Sequence, residues 1–378
     1  MNDEKSMATG TQSAPKQRHA TGFLKFLLAM LWGGAAFFLS TVVASVLYYL
    51  GVIEWDFYGT TVAVDLSMAV IAAVGLVVLG GWRLLRPSLR AIGEAFDDAW
   101  ALLAMLVGYM LYLFVICLIA DEIDPADNWL SMTLALAGTC LCIGLAEEFV
   151  FRGLLLEGLL SLLGRGRVGV VASALLASLV FGLAHVTSDF GGLMSGDYGW
   201  MYGAQMLLKT LQTFLIGFLF CATVLKTRNL LGVSIVHGLY DFGSLFISAV
   251  LLSYDLDAST EYVSTGSDML FSVIQYGVLC LLELPLAIRA ARILREIEVP
   301  ERGALYRDFA PSLPATAPVA PAGYVADTAV ASAAPGAPVV PDGYSSMQSS
   351  TGQWSEPNTS LNMDAPVTFD AMSSDTRK

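Results

Sequence analysis

Residues 130–163, LSMTLALAGTCLCIGLAEEFVFRGLLLEGLLSLL, form an apolar run broken only by Glu147, Glu148, Arg152 and Glu157. As a helix at 1.5 Å per residue this run is roughly 50 Å long, whereas a bilayer core needs about 20 residues. The spacing therefore predicts a membrane-spanning helix that continues past one interface, with Gly144 placed to bend it. Charged groups at such depth are costly, which makes each of them a functional candidate.

Outward from this run, seven more apolar segments of spanning length occur at 23–50, 61–82, 100–120, 168–187, 204–225, 230–253 and 269–289. The chain is 56% hydrophobic and 14% charged, against a charged share of about 25% in soluble domains. Its mean hydropathy is +0.64. The expected fold is an all-α, polytopic integral membrane helix bundle of about eight transmembrane helices, in a plasma or cytoplasmic membrane. The first segment is too long for the apolar part of a signal peptide and no cleavage site follows it, so it is expected to stay in the mature chain.

Lys and Arg alternate with acids from loop to loop. Arg83, Arg86 and Arg90, then Arg165 and Arg167, Lys226 and Arg228, and finally Arg289, Arg292 and Arg295 mark one side; the intervening loops hold only acids, such as Asp121, Asp124 and Asp189. The positive side is expected to be cytoplasmic, with both termini on it. The net charge of -13 then comes from outward loops and a tail. No basic footprint for nucleic acid is present.

Residues 1–22 read as a disordered cytoplasmic tail, 23–299 as the transmembrane domain, and 300–378 as a second disordered cytoplasmic tail. The last is rich in Ala, Pro and Ser and too poor in bulky aliphatics to offset chain entropy. Within it Ala317–Tyr324 (APVAPAGY) nearly repeats as Ala337–Tyr344 (APVVPDGY). The repeat is either a duplicated docking peptide for a cytoplasmic partner or compositional drift. Five cysteines, odd in number and all in apolar runs, read as buried hydrophobes rather than as disulfides.

The chemistry lies inside the helices. Glu148 and Arg152, four apart, stack on one helical face and can pair, which leaves Glu147 as a carboxylate suited to take a proton from water. Phe181 shares a face with His185, and His237 with Asp241. Any one such pair could simply staple a bundle. Together they supply the base, polariser and orienting groups that water activation needs. Lys209 reads as an anchor that snorkels to the outer interface, Glu157 as a solvated acid, and Glu283 has no evident role. Counted from the positive side, Glu147 and His185 lie about 25 Å deep and His237 about 10 Å deep, a mismatch that tilt or an extension of the fourth segment would have to close.

Three ordered motifs carry a resemblance. Glu147 to Arg152 fits EExxxR, Phe181 to His185 fits FxxxH and His237 to Asp241 fits HxxxN/D. In that order, across residues 130–250, they resemble the CPBP family of CAAX prenyl endopeptidases and bacteriocin-processing (Abi) proteins. The resemblance implies an intramembrane endopeptidase acting on a membrane-associated or lipidated peptide or protein. Glu147 would be its principal catalytic carboxylate, His185 and His237 would complete the water site, and Glu148 and Arg152 would support it. Asp241 replaces the frequent Asn and would orient His237. The family is treated both as metalloproteases and as metal-free glutamate proteases. His185, His237 and Glu147 are permissible ligands for one divalent metal such as zinc, but no HExxH signature is present. The rival readings are a noncatalytic membrane scaffold that binds a partner membrane enzyme, and an ion-coupled transporter, for which the expected repeat halves are missing.

Overall fold

A computed structural model describes residues 16–299 apart from 165, 197–198, 255 and 257–261. The remainder of both tails, including the repeated APVxPxGY segment, lies outside the described residues. Among the described residues ten α-helices follow in order, and no strand occurs. They are α1 (Lys16–Tyr49), α2 (Phe57–Leu79), α3 (Leu89–Ile119), α4 (Trp129–Glu148), α5 (Leu156–Leu163), α6 (Gly166–Ala184), α7 (Phe190–Ser195), α8 (Trp200–Thr227), α9 (Leu230–Phe246) and α10 (Met269–Glu296). Eight helical spans are long and apolar enough to cross a membrane, so the protein is an integral membrane helix bundle. Helix α1 begins inside the stretch read as the N-terminal tail.

Several helix starts follow from capping chemistry. Asp56 accepts a hydrogen bond from the Gly59 amide at 2.7 Å to start α2, and Ser88 accepts from Ala91 to start α3. Asn229 starts α9 by accepting from Gly232 at 2.9 Å, while its Nδ2 donates to the Arg86 carbonyl at 2.6 Å. Each cap satisfies an amide that the helix leaves unpaired.

Helix α8 is the most enclosed span, packed along α10, α6 and α3. The outer helices present the reverse of a soluble surface: Leu31, Phe38, Ile119 and Leu281 are each about 70% exposed or more, as a bilayer solvent allows. The basic loops gather at one end of the bundle. There Asp98, buried at 1% exposure, is held by Lys226 Nζ at 2.9 Å and Arg289 at 2.6 Å, and Arg167 donates to the carbonyls of Leu294 and Ile297. The acidic loops meet at the other end, where the Asp124 amide donates to Leu251 and the Ala126 amide to Ser253.

The long fourth segment is irregular, but not at Gly144. It changes from α4 to a π-helix at Phe149–Leu155 and back to α-helix in α5. A Cβ on Gly144 would stand 2.4 Å from the Ser234 carbonyl and 2.8 Å from the Gly238 amide, so this glycine serves the close approach of α9 rather than a bend. Gly238 answers it against Cys140 of α4. Small residues at a membrane helix crossing let the backbones meet, and this crossing brings the acids of α4 to His237. All five cysteines are free, and four of them are buried.

Candidate active site

Three elements supply the polar centre: the α4–π junction, α6 and α9. Glu148, at the last turn of α4, is fully buried. Its Oε1 accepts from Arg152 at 2.8 Å and from His237 Nδ1 at 2.8 Å. Arg152 is also fully buried, and its guanidinium lies 4.0 Å from the Phe181 ring and 5.5 Å from that of Phe220. Gly217 of α8 leaves room for it, since a Cβ there would stand 3.1 Å from a guanidinium nitrogen. A buried charge is tolerable only when so paired.

The other edge of His237 faces two carboxylates. Its Nε2 lies 3.5 Å from Glu147 Oε2 and 3.6 Å from Asp241 Oδ2, and both of these buried oxygens lack a hydrogen-bond partner among the described residues. Because Nδ1 is engaged by an Arg-paired carboxylate, it carries a proton, and Nε2 is the atom free to exchange one. Glu148 holds the Nδ1 edge of His237, and Asp241, expected to orient this ring, faces its Nε2 edge beside Glu147.

The expected depth mismatch disappears for a physical reason. A Cβ on Gly153 would meet Leu230, so Gly153 stands level with the start of α9. Glu147 precedes Gly153 by six residues and His237 follows Leu230 by seven, which puts them at one depth. The rest of the π-helix and α5 form the extension, packed on α1.

His185 stands apart from this cluster. Its Nδ1 donates to the Phe181 carbonyl at 2.9 Å, and its ring packs against Phe181 at 4.6 Å and Tyr262 at 5.7 Å. No hydrogen bond or ion pair joins it to Glu147 or His237 among the described residues. Phe181 bridges the two parts, lying 5.9 Å from the His237 ring. Among the described residues, no three His, Cys, Asp or Glu side chains stand together so that they could hold a metal ion. Glu147, His185 and His237 thus form no ready ligand set as they stand.

Two other expectations change. Lys209, expected to snorkel, has its Nζ donating to Gln212 at 3.2 Å, 4.3 Å from the Tyr262 ring and 5.6 Å from that of Tyr276. Glu157 is buried at 2% exposure, within electrostatic reach of Arg228. Burial pulls the Arg228 guanidinium down to about 10, with Glu157 opposing, so it stays charged at neutral pH. Glu283 gains a partner, accepting from Gln212 Nε2 at 2.9 Å, while that same amide reaches Tyr240 at 3.3 Å. Asp65 of α2, whose charge bears on Glu147, Asp241 and His237, was not singled out from the sequence. A lone acid in an otherwise apolar span was its available signal.

Residues 129–243 match the family model described as type II CAAX prenyl endopeptidase, Rce1-like. Over these residues the chain is similar to that family. The match takes in all seven motif residues from Glu147 to Asp241, and leaves α1–α3 and α10 outside it. Comparison with curated proteins and with solved structures gives no match. The Rce1-like family is one of integral membrane proteases, which agrees with the eight spanning helices. Within residues 129–243, the Gly144–Gly238 crossing and the π-helix are the local devices that bring the EExxxR and HxxxD motifs together.

Proposed function

We propose that the protein is an intramembrane endopeptidase that hydrolyses a peptide bond in a lipidated or otherwise membrane-delivered protein, using water activated by Glu147. The observation that carries this reading is the pair of unpartnered oxygens, Glu147 Oε2 and Asp241 Oδ2, facing His237 Nε2 at 3.5 and 3.6 Å. These gaps are too long for strong direct hydrogen bonds. A water between the three groups satisfies all of them.

In this mechanism Glu147 takes a proton from the water as its oxygen bonds to the scissile carbonyl carbon. His237, held by Glu148 through Nδ1, donates from Nε2 to the developing oxyanion when it is an imidazolium. The Arg152 guanidinium and His237 Nδ1 share Glu148 Oε1 as their acceptor, which fixes the orientation of the imidazole. As the C–N bond breaks, Glu147 returns its proton to the leaving amine. Asp241 holds the water by its second hydrogen. His185, whose Nδ1–H is engaged by Phe181, offers Nε2 as an acceptor to the substrate backbone. No step runs through a metal, because the candidate ligands are not grouped. The basic loops would lie in the cytoplasm, the side from which a lipidated substrate arrives.

The test is cleavage of lipidated and plain peptides by purified protein in detergent, comparing wild type with Glu147→Gln and His185→Ala, with and without chelator. Cleavage that survives chelator and is lost in Glu147→Gln supports the reading. Chelator-sensitive cleavage, with stoichiometric zinc lost in His185→Ala, overturns the metal-free mechanism. Absence of cleavage by folded wild type favours the scaffold.

A further inference from the structure

Among the described residues, Lys209 is an intramembrane cation whose hydrogen bonds reach a carboxylate, Glu283, only through the Gln212 amide. Among the described residues, no carboxylate lies within ion-pair distance of its Nζ, whose one hydrogen bond goes to the neutral Gln212 amide at 3.2 Å. Two tyrosine faces hold it, Tyr262 at 4.3 Å and Tyr276 at 5.6 Å. The box is braced: Tyr276 donates to the Tyr262 carbonyl at 2.8 Å, and Gln205 exchanges two hydrogen bonds with Ser264 at 2.9 and 3.1 Å. Gln212 is fixed in turn by Glu283 and Tyr240.

Aromatic faces attract an ammonium but do not neutralise it. Burying a lysine in a bilayer is costly unless it meets an anion. Two of its three N–H donors remain for such a partner. The position is also specific. Tyr262 contacts both Lys209 and His185, so the ammonium adjoins the His185 side of the site. A Cβ on Gly182 of α6 would meet the Thr210 carbonyl, which sets Lys209 level with the last turn of α6. The carboxylates of Glu283, Asp241 and Glu147, in that order, bear on it electrostatically, and among the described residues none is within ion-pair distance.

We infer that Lys209, within its Tyr262–Tyr276 box, is a specificity-determining residue that binds the C-terminal carboxylate of the peptide substrate and so sets the scissile bond over Glu147. The inference rests on the endopeptidase reading above. An extended peptide advances about 3.3 Å per residue, so such an anchor selects bonds a few residues from a free C-terminus and disfavours internal ones.

The test compares one prenylated peptide as free acid and as C-terminal amide, with wild type, Lys209→Met and Lys209→Arg, each checked by thermal melting. A charge-assisted carboxylate contact predicts that wild type prefers the acid by on the order of tenfold to a hundredfold in kcat/KM. That ratio collapses toward one in Lys209→Met and persists in Lys209→Arg. If Lys209 only balances the charge of the site carboxylates, Lys209→Met slows both peptides alike and the ratio survives, which overturns the inference. Equal cleavage of acid and amide by wild type also overturns it while leaving the protease reading intact, even if Lys209→Met fails to fold. If wild type cuts neither peptide, both readings fall together.

Discussion

One oxygen, Glu148 Oε1, accepts from both Arg152 and His237 at 2.8 Å. The same carboxylate thus neutralises a buried guanidinium on the π-helix and fixes the proton of an imidazole on α9. Glu148→Gln keeps the shape but leaves Arg152 uncompensated, which costs about 3–5 kcal/mol for a buried pair. Loss of the groups that orient a catalytic imidazole costs about 10- to 100-fold. The expected outcome is a lower melting temperature and a matching fall in kcat for whatever fraction folds.

Glu147→Gln behaves in the opposite way. Among the described residues Glu147 Oε2 has no hydrogen-bond partner, so Gln, which keeps the shape, breaks no bond to that oxygen. As the general base its loss removes roughly 10²- to 10⁴-fold of rate. Unchanged melting with cleavage reduced by at least a hundredfold is expected. A large drop in melting temperature would mark Glu147 as structural.

The spans and the EExxxR, FxxxH and HxxxD motifs were legible because both are local: hydropathy needs one segment, and an i,i+4 pair needs one helix. What joins helices was not. That Glu148 meets His237 Nδ1 depends on how α9 crosses α4, which the small residues Gly144 and Gly238 decide. Lys209 sits near one end of its span, where snorkelling is the ordinary outcome, and its contacts with Gln212 and with the tyrosines of α10 and the segment before it depend on how other helices pack. Glu283 likewise takes its meaning from Gln212 on α8.

Gly144 tests how the site is assembled. A Cβ there stands 2.4 Å from the Ser234 backbone carbonyl, and backbone cannot yield as a side-chain tip does. Gly144→Ala is expected to push α4 from α9 at a cost of about 1–3 kcal/mol. It also opens the 3.5 Å gap between Glu147 and His237. Activity should fall even below the unfolding range. Full activity in a destabilised Gly144→Ala protein would show that the crossing and the site are uncoupled.

Asp98 separates stability from chemistry. Its carboxylate, fully buried at the basic end, receives Lys226 from α8 and Arg289 from α10. Both cations are partly exposed, at 31% and 41%, so water compensates some of what Asp98→Asn removes. About 1–3 kcal/mol should be lost, below the figure for a dry pair. The site contacts of Glu147, His237 and Asp241 involve none of these three residues. Denaturant titration of the detergent-solubilised protein should show the loss, while kcat per folded molecule stays at the wild-type value. A fall in kcat without a stability change would mean instead that the basic-end ion pairs govern access to the site.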